Sequence, residues 1–378
     1  MYRIVIAALV FLTLVATPQL STAGQGTPSY QVLPPLQQGN QTIYPVIAAS
    51  AHDTTQFLTL DEGLRSGEVE ITEAGRFAQP MIRRPGPRPA PITPGSAEVN
   101  RLVLLNRSTR PLLLLAGEIV TGGKQDRVVG TDRIVPPQSD PVDLAVFCVE
   151  PGRWTGSTSS FESFSAQMVQ PSIRNQAMAK RDQSQVWAEV RKSNAAIGGS
   201  LASGGVTSYA GNMSSLEAKA QVDKVAAPIS RSYENLLGQL KDHKAVGVVV
   251  AINGQLEWAD LFASEALLQK YWNKLVRSYA AESLTNSGPA VQPQHAKGGR
   301  AGDPAAPGAA EAQQFLNAVR GEREVSQTET GVYRQTEVQG QGWKVFRLTS
   351  LLPGADFDVH VAKMTTAPVA QPLGLIRR

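Results

Sequence analysis

Two short segments bring together residue types that can hold an anion and act on it. The first, residues 116–127, reads AGEIVTGGKQDR. Consecutive glycines at Gly122 and Gly123 let backbone N–H groups converge on an anion with no Cβ in the way, and Lys124 and Arg127 supply countercharge. It is not a nucleoside-triphosphatase loop. Gly117 lies one residue too far from Gly123-Lys124, Gln125 stands where a Ser or Thr is needed, and a strand pattern follows instead of a helix. The second segment, residues 148–154, reads CVEPGRW. In a strand Cys148 and Glu150 share one face, and Pro151-Gly152 then turn the chain. Arg153 offers a fork for phosphate or carboxylate, and Trp154 a flat face for a base or sugar ring. The expected ligand-binding set is Gly122, Gly123, Lys124, Gln125, Arg127, Arg153 and Trp154, with Glu118 and Glu150 as candidate acid, base or orienting groups. The same residue types also fit a buried Arg–Glu pair and a core Trp closing a strand end.

Consecutive strand patterns at Leu112–Val120, Arg127–Val135 and Asp143–Val149 must position these segments. Paired as a meander, they return the glycine turn and the Pro151-Gly152 turn to the same sheet edge. Leu112–Leu115 is a continuous apolar run, as in a strand covered on both faces. Further strands are expected at Thr42–Ala48, Val69–Thr72 and Val99–Leu105, with a short helical turn around Leu60–Leu64. Asn253-Gly254, the dipeptide best suited to a two-residue hairpin, sits between Ala245–Ile252 and Gln255–Phe262. Leu267, Leu268, Tyr271, Trp272, Leu275, Val276 and Tyr279 recur with a helical period behind a Ser264 cap. Helices are also expected at Ser184–Ser193, over Leu216–Leu240 with a break near Ala226 caused by Pro228, and at Ala312–Val319. Val332–Val338, Trp343–Thr349 and Phe357–Val361 alternate like antiparallel strands. The pattern predicts an α+β fold of largely antiparallel sheets with several segregated helices. It divides the chain into a leader (1–23), a loose Gln/Gly/Pro stretch (24–40), a main domain (41–283), a linker or insertion (284–310) and C-terminal strands packing on the main domain (311–364).

The two motifs resemble those of the ARG and rhodanese-phosphatase-superfamily-associated protein domain, a family named for its association with ADP-ribosylglycohydrolases. The resemblance runs from about Leu58 through Glu118, GGKQDR and CVEPGRW. It continues through Trp187 and Val246–Val250 to Asp260-Leu261-Phe262 and Lys274-Leu275, with a weaker echo over Val332–Lys363. It implies a role near ADP-ribose or other NAD-derived nucleotides and singles out no reaction, so whether the protein is an enzyme stays open.

A basic Arg3, an apolar stretch from Ile4 to Ala16 and the small residues Ser21-Thr22-Ala23 form a secretory signal, so the mature chain is expected to begin at Gly24, in the periplasm or outside the cell. The stretch falls short of the ~20 apolar residues that span a bilayer, and no later segment reaches that length. The 36 basic and 32 acidic side chains give a net charge of +4, too mild for a nucleic-acid partner. The expected partner is a small anionic ligand. A single cysteine, Cys148, excludes an intrachain disulfide and a thiolate metal cluster. Asp356, Asp358 and His360 alternate along one strand and suggest a metal. The apolar Phe357, Val359 and Val361 opposite them make a solvated polar face the simpler reading, and no metal is expected. The sequence names no cofactor.

Overall fold

The computed structural model describes residues 30–73, 101–123, 125–150, 161–198, 208–240, 244–287 and 306–366, with 161–166 as backbone only. The leader, Lys124 and residues 151–160 lie outside the described residues.

The Asn253-Gly254 turn organises the larger sheet. Both residues have positive φ, 51° and 74°, which matches the right-handed twist of the strands they join, Lys244–Ile252 and Gln255–Phe262. This hairpin lies inside a nine-stranded antiparallel sheet. On one side Lys244–Ile252 pairs with Gln41–Ala48, which in turn carries the short strands Tyr30–Val32 and Leu36–Gln38. Residues 30–38, read from composition as a loose leader, are thus the edge of a sheet. Each piece is only three residues long, too short for a period to show. On the other side Gln255–Phe262 pairs with Asp358–Thr365, followed by Trp343–Ser350, Tyr333–Gly340 and an edge strand, Arg323–Glu329, that the sequence reading missed. That edge strand is almost wholly exposed and polar, so no alternation marks it. The C-terminal strands continue the sheet of the main domain.

A second unit holds a six-stranded and a three-stranded sheet. The expected strand 112–120 divides into Leu112–Leu114 and Glu118–Gly122, and 127–135 divides into Arg127–Val129 and Arg133–Val135. Leu112–Leu114 pairs with Arg133–Val135 and, in parallel, with Leu58–Thr59. Glu118–Gly122, Arg127–Val129 and Val142–Cys148 form the meander in the other sheet. The apolar run now has a reason. Leu112 and Leu114 join one core cluster, while Leu113 and Leu115 join another, so both faces are covered.

Helices fill the space between these units. Glu265–Thr285 is capped by Ser264, whose Oγ accepts the Leu267 N–H at 3.0 Å. It buries all seven apolar residues of its expected face. Each such side chain stabilises by roughly 1.5–3 kcal/mol relative to exposure. Leu216–Leu237 packs beside it and is helical straight through Pro228. The expected break is absent because Val222, Ala226, Ile229 and Tyr233 are buried on both sides of the proline, and their packing outweighs one missing N–H. Gln183–Ala196 extends the expected helix by a few residues at its ends. Pro171–Asn175, the π-helical turn Gln176–Lys180 and Tyr209–Ser214 were not foreseen. Ala309–Asn317 covers the opposite sheet face with Ala312 and Leu316, beginning within the expected linker; residues 288–305 lie outside the described residues.

Candidate functional site

The two motifs meet at adjacent strand ends. Val120 pairs with Arg127 across the first hairpin, and Arg127 pairs in turn with Cys148. The turn begins with Gly122 and Gly123 at φ 120° and 57°, a left-handed path that glycine adopts without steric cost. Asp126 then fills the turn from within. Its Oδ1 accepts the Gly122 N–H at 3.1 Å, and its Oδ2 accepts the Ser208 hydroxyl at 3.3 Å. The Glu150 carboxylate reaches across to accept the Asp126 N–H at 2.8 Å. Arg127 is fully buried and donates to the Gln125 side-chain oxygen at 3.2 Å. Gln183 clamps the backbone of Cys148, donating to its carbonyl and accepting its N–H, both at 2.9 Å. Burial, opposed by Arg127, pushes the Cys148 thiol up to about 11, which disfavours the thiolate form.

Gly122, Gly123, Gln125, Arg127 and Glu150 are therefore gathered at one place. Lys124, Arg153 and Trp154 lie outside the described residues. Glu118 is at the far end of its strand from the glycine turn and belongs to a different cluster. Its Oε1 accepts from Lys274 Nζ at 2.7 Å and its Oε2 accepts the Leu115 N–H at 2.9 Å. Lys274 also reaches Asp61 at 2.7 Å. Burial pushes the Glu118 carboxyl up despite Lys274. The two carboxylates together hold the Lys274 ammonium charged against its own burial.

A further buried constellation was not read from the sequence. Asp260, at the centre of the larger sheet, accepts from both Arg174 terminal nitrogens at 2.9 and 3.0 Å, from Trp258 Nε1 at 2.8 Å and from the Tyr279 hydroxyl at 2.5 Å. His360 stands between two carboxylates, with Nε2 3.1 Å from Asp260 and Nδ1 2.6 Å from Asp132. The expected solvated face of residues 356–360 is thus corrected. His360 is fully buried, Asp358 pairs with Arg347 at 3.1 Å, and of the three only Asp356 is exposed, because the turn that carries Asp132 closes over His360. Arg174 Nε also donates to the Ala116 carbonyl at 3.1 Å, and Asp132 accepts the Ala116 N–H at 2.8 Å. At Gly117, φ is 96° and a Cβ would fall 2.6 Å from the Arg174 side chain, so glycine there makes room for the guanidinium. The Ala116-Gly117-Glu118 piece of the motif is therefore the junction between the two charged clusters. Asp260 and Lys274 lay within the family resemblance, whereas nothing in the local sequence marked Arg174, Asp132 or Asp61.

Among the described residues no group of three or more His, Cys, Asp and Glu side chains is arranged to hold a metal ion, and no helix is long and apolar enough to cross a membrane. The fold and clusters define an α+β protein of mostly antiparallel sheets joined by buried ionic networks. The family model for the ARG and Rhodanese-Phosphatase-superfamily-associated Protein domain matches residues 29–362, and the chain belongs to that family. No curated protein and no solved structure matches it.

Proposed function

We propose that this is a binding protein for a small anionic ligand of the nucleotide or sugar-phosphate kind, working outside the cytoplasm. The ligand would sit where the glycine turn and the end of the strand Val142–Cys148 share a sheet edge. The observation that supports this reading is the Glu150 hydrogen bond to the Asp126 N–H, which ties the two motifs together at the points from which Lys124 and Arg153-Trp154 continue. Glu150, Gln125 and Arg127 form the rigid base, and Lys124, Arg153 and Trp154 are the ligand contacts. Glu118 and Glu150 are engaged in the interior, which favours binding over acid–base processing of the ligand. The family resemblance makes ADP-ribose and related nucleotides the first compounds to try.

In a thermal-shift series with ADP-ribose, ADP and a hexose phosphate, a binder at 100 times its Kd stabilises the fold by about 2.7 kcal/mol. Lys124→Met or Arg153→Met is expected to abolish that shift while leaving the unliganded protein within about 1 kcal/mol of the parent. Absence of any shift in the parent protein would overturn the proposal. A second reading, an envelope protein whose motifs only build its interior, is favoured by the burial of Glu118, Gln125, Arg127 and Glu150. It wins if either substitution unfolds the chain. The location has its own check: native protein should begin at Gly24, and a product retaining Arg3 refutes export.

A further inference from the structure

A cavity of about 270 Å³ opens between the helices Leu216–Leu237 and Glu265–Thr285 and the start of strand Lys244–Ile252, formed by none of the motif residues. One wall is a stacked pair, Tyr233 and Trp272, with ring centroids 4.1 Å apart. Leu237 and Leu268 add apolar surface, and the carboxylates Glu234 and Glu265 stand at its edge. Among the described residues the buried Tyr233 hydroxyl has no hydrogen-bond partner, whereas Trp272 Nε1 is already committed to Ser230 at 3.0 Å. A buried hydroxyl without a partner is costly, and a ligand that supplies one removes the cost. Lys244 lies 3.7 Å from Glu265 and is more than half exposed, so among the described residues this pair is a solvent-screened one that leaves the rim acidic. The volume lies below the ~300–1,000 Å³ typical of drug-sized sites, which restricts the occupant to a small compound.

We propose that this cavity is a second binding site, for a small organic cation: a primary ammonium on an aryl or short alkyl body. The apolar body occupies the space beside Leu237, Leu268 and the aromatic pair. The ammonium donates to the Tyr233 oxygen and lies in the negative field of Glu265 and Glu234, with aromatic faces that also favour cations. Burial, with the Glu265 charge adding to it, raises the Tyr233 phenol, so the hydroxyl stays neutral at physiological pH and its oxygen remains an acceptor. The charge preference is opposite to that of the glycine-turn site, so the two proposals stand or fall separately.

Isothermal titration of the full chain with 2-phenylethylamine and with its uncharged counterpart 2-phenylethanol tests this. The amine is expected to bind at least about fivefold more tightly than the alcohol. Glu234→Gln, on an exposed residue, should weaken the amine about threefold, in keeping with a partly screened pair. Gln269→Trp, which places bulk at the exposed lip of the cavity, should remove binding without altering the fold. Equal affinity for the alcohol, undiminished binding to the Gln269→Trp protein, or no heat with either compound at millimolar concentration overturns the proposal.

Discussion

Replacing Asp260 with Asn should destabilise the protein by about 3–5 kcal/mol, the usual cost of breaking a buried ion pair by removing one partner. Arg174 has no exposed surface, and besides Asp260 it donates to the Ala116 carbonyl. With the charge gone, the guanidinium remains in the interior with a neutral amide before it. The amide also cannot satisfy every donor. Arg174, Trp258 and Tyr279 all point at the same Asp260 oxygen, and His360 and the second Arg174 nitrogen point at the other, so an NH₂ at either position faces an N–H or O–H. The loss should appear as a fall in Tm of about 10 °C and a lower urea midpoint. Asp358→Asn is the control. That carboxylate is part-exposed, bonded to Thr349 and Arg347, and should cost no more than about 1 kcal/mol. An Asp260→Asn protein within 1 kcal/mol of the parent would mean that the cluster does not hold the sheets together.

The second large effect is a loss of stability above neutral pH that depends on His360. Burial acts most strongly and disfavours the imidazolium. Asp132 and then Asp260 overcome it and raise His360 to about 9. An unfolded histidine titrates near ~6.5, so the gain from holding the proton is complete below that pH and is lost as pH rises through about 9. A shift of this size corresponds to stabilisation on the order of 3 kcal/mol. Asp260 sets a limit on the acid side. Burial opposes its ionisation, but Arg174 and His360 prevail and hold the carboxyl well below the usual range. Its contribution is present above pH ~4 and is lost as pH falls through the depressed value. Tyr279 is pushed well above its ordinary value, first by burial and then by Asp260, and stays protonated throughout. Glu257, raised to about 7 by burial ahead of Glu282, is favoured in its protonated form by the fold, so its contribution is present at acid pH and is lost as pH rises through about 7, a separate decline at lower pH than that of His360. Urea midpoints measured from pH 5 to 10 should therefore fall across pH 6.5–9 in the parent and much less in His360→Gln, which keeps the Glu257 effect. Identical slopes in the two proteins would show that His360 is not charged in the fold.

The sequence by itself determined whatever rests on local chemistry. Asn253-Gly254 specified its hairpin because only such a pair accepts two successive positive φ values. The helix behind Ser264 was legible because its apolar residues, Leu267 to Tyr279, recur over more than three turns. The two motifs stood out because glycine pairs and charged residues beside strands are unusual wherever they fall. Strands of three residues, such as Tyr30–Val32 and Leu36–Gln38, left no period to read, and the exposed edge Arg323–Glu329 left no alternation. Pro228 misled because a local rule about one missing N–H says nothing of the packing on either side.

The charged clusters were decided only by tertiary structure. Arg174 and Asp260 are 86 residues apart, and His360 and Asp132 are 228 apart, so no window of sequence contains either pair. His360 looked like part of a solvated face because alternation shows which residues share a side of a strand and not what covers that side. The same holds for Glu118, which Lys274 reaches from a helix 156 residues away. Residue types and spacing state what chemistry a side chain is capable of. Whether it meets water or a buried counter-charge depends on which distant surface the fold lays against it, and burial then decides whether the charge binds a ligand or holds the molecule together.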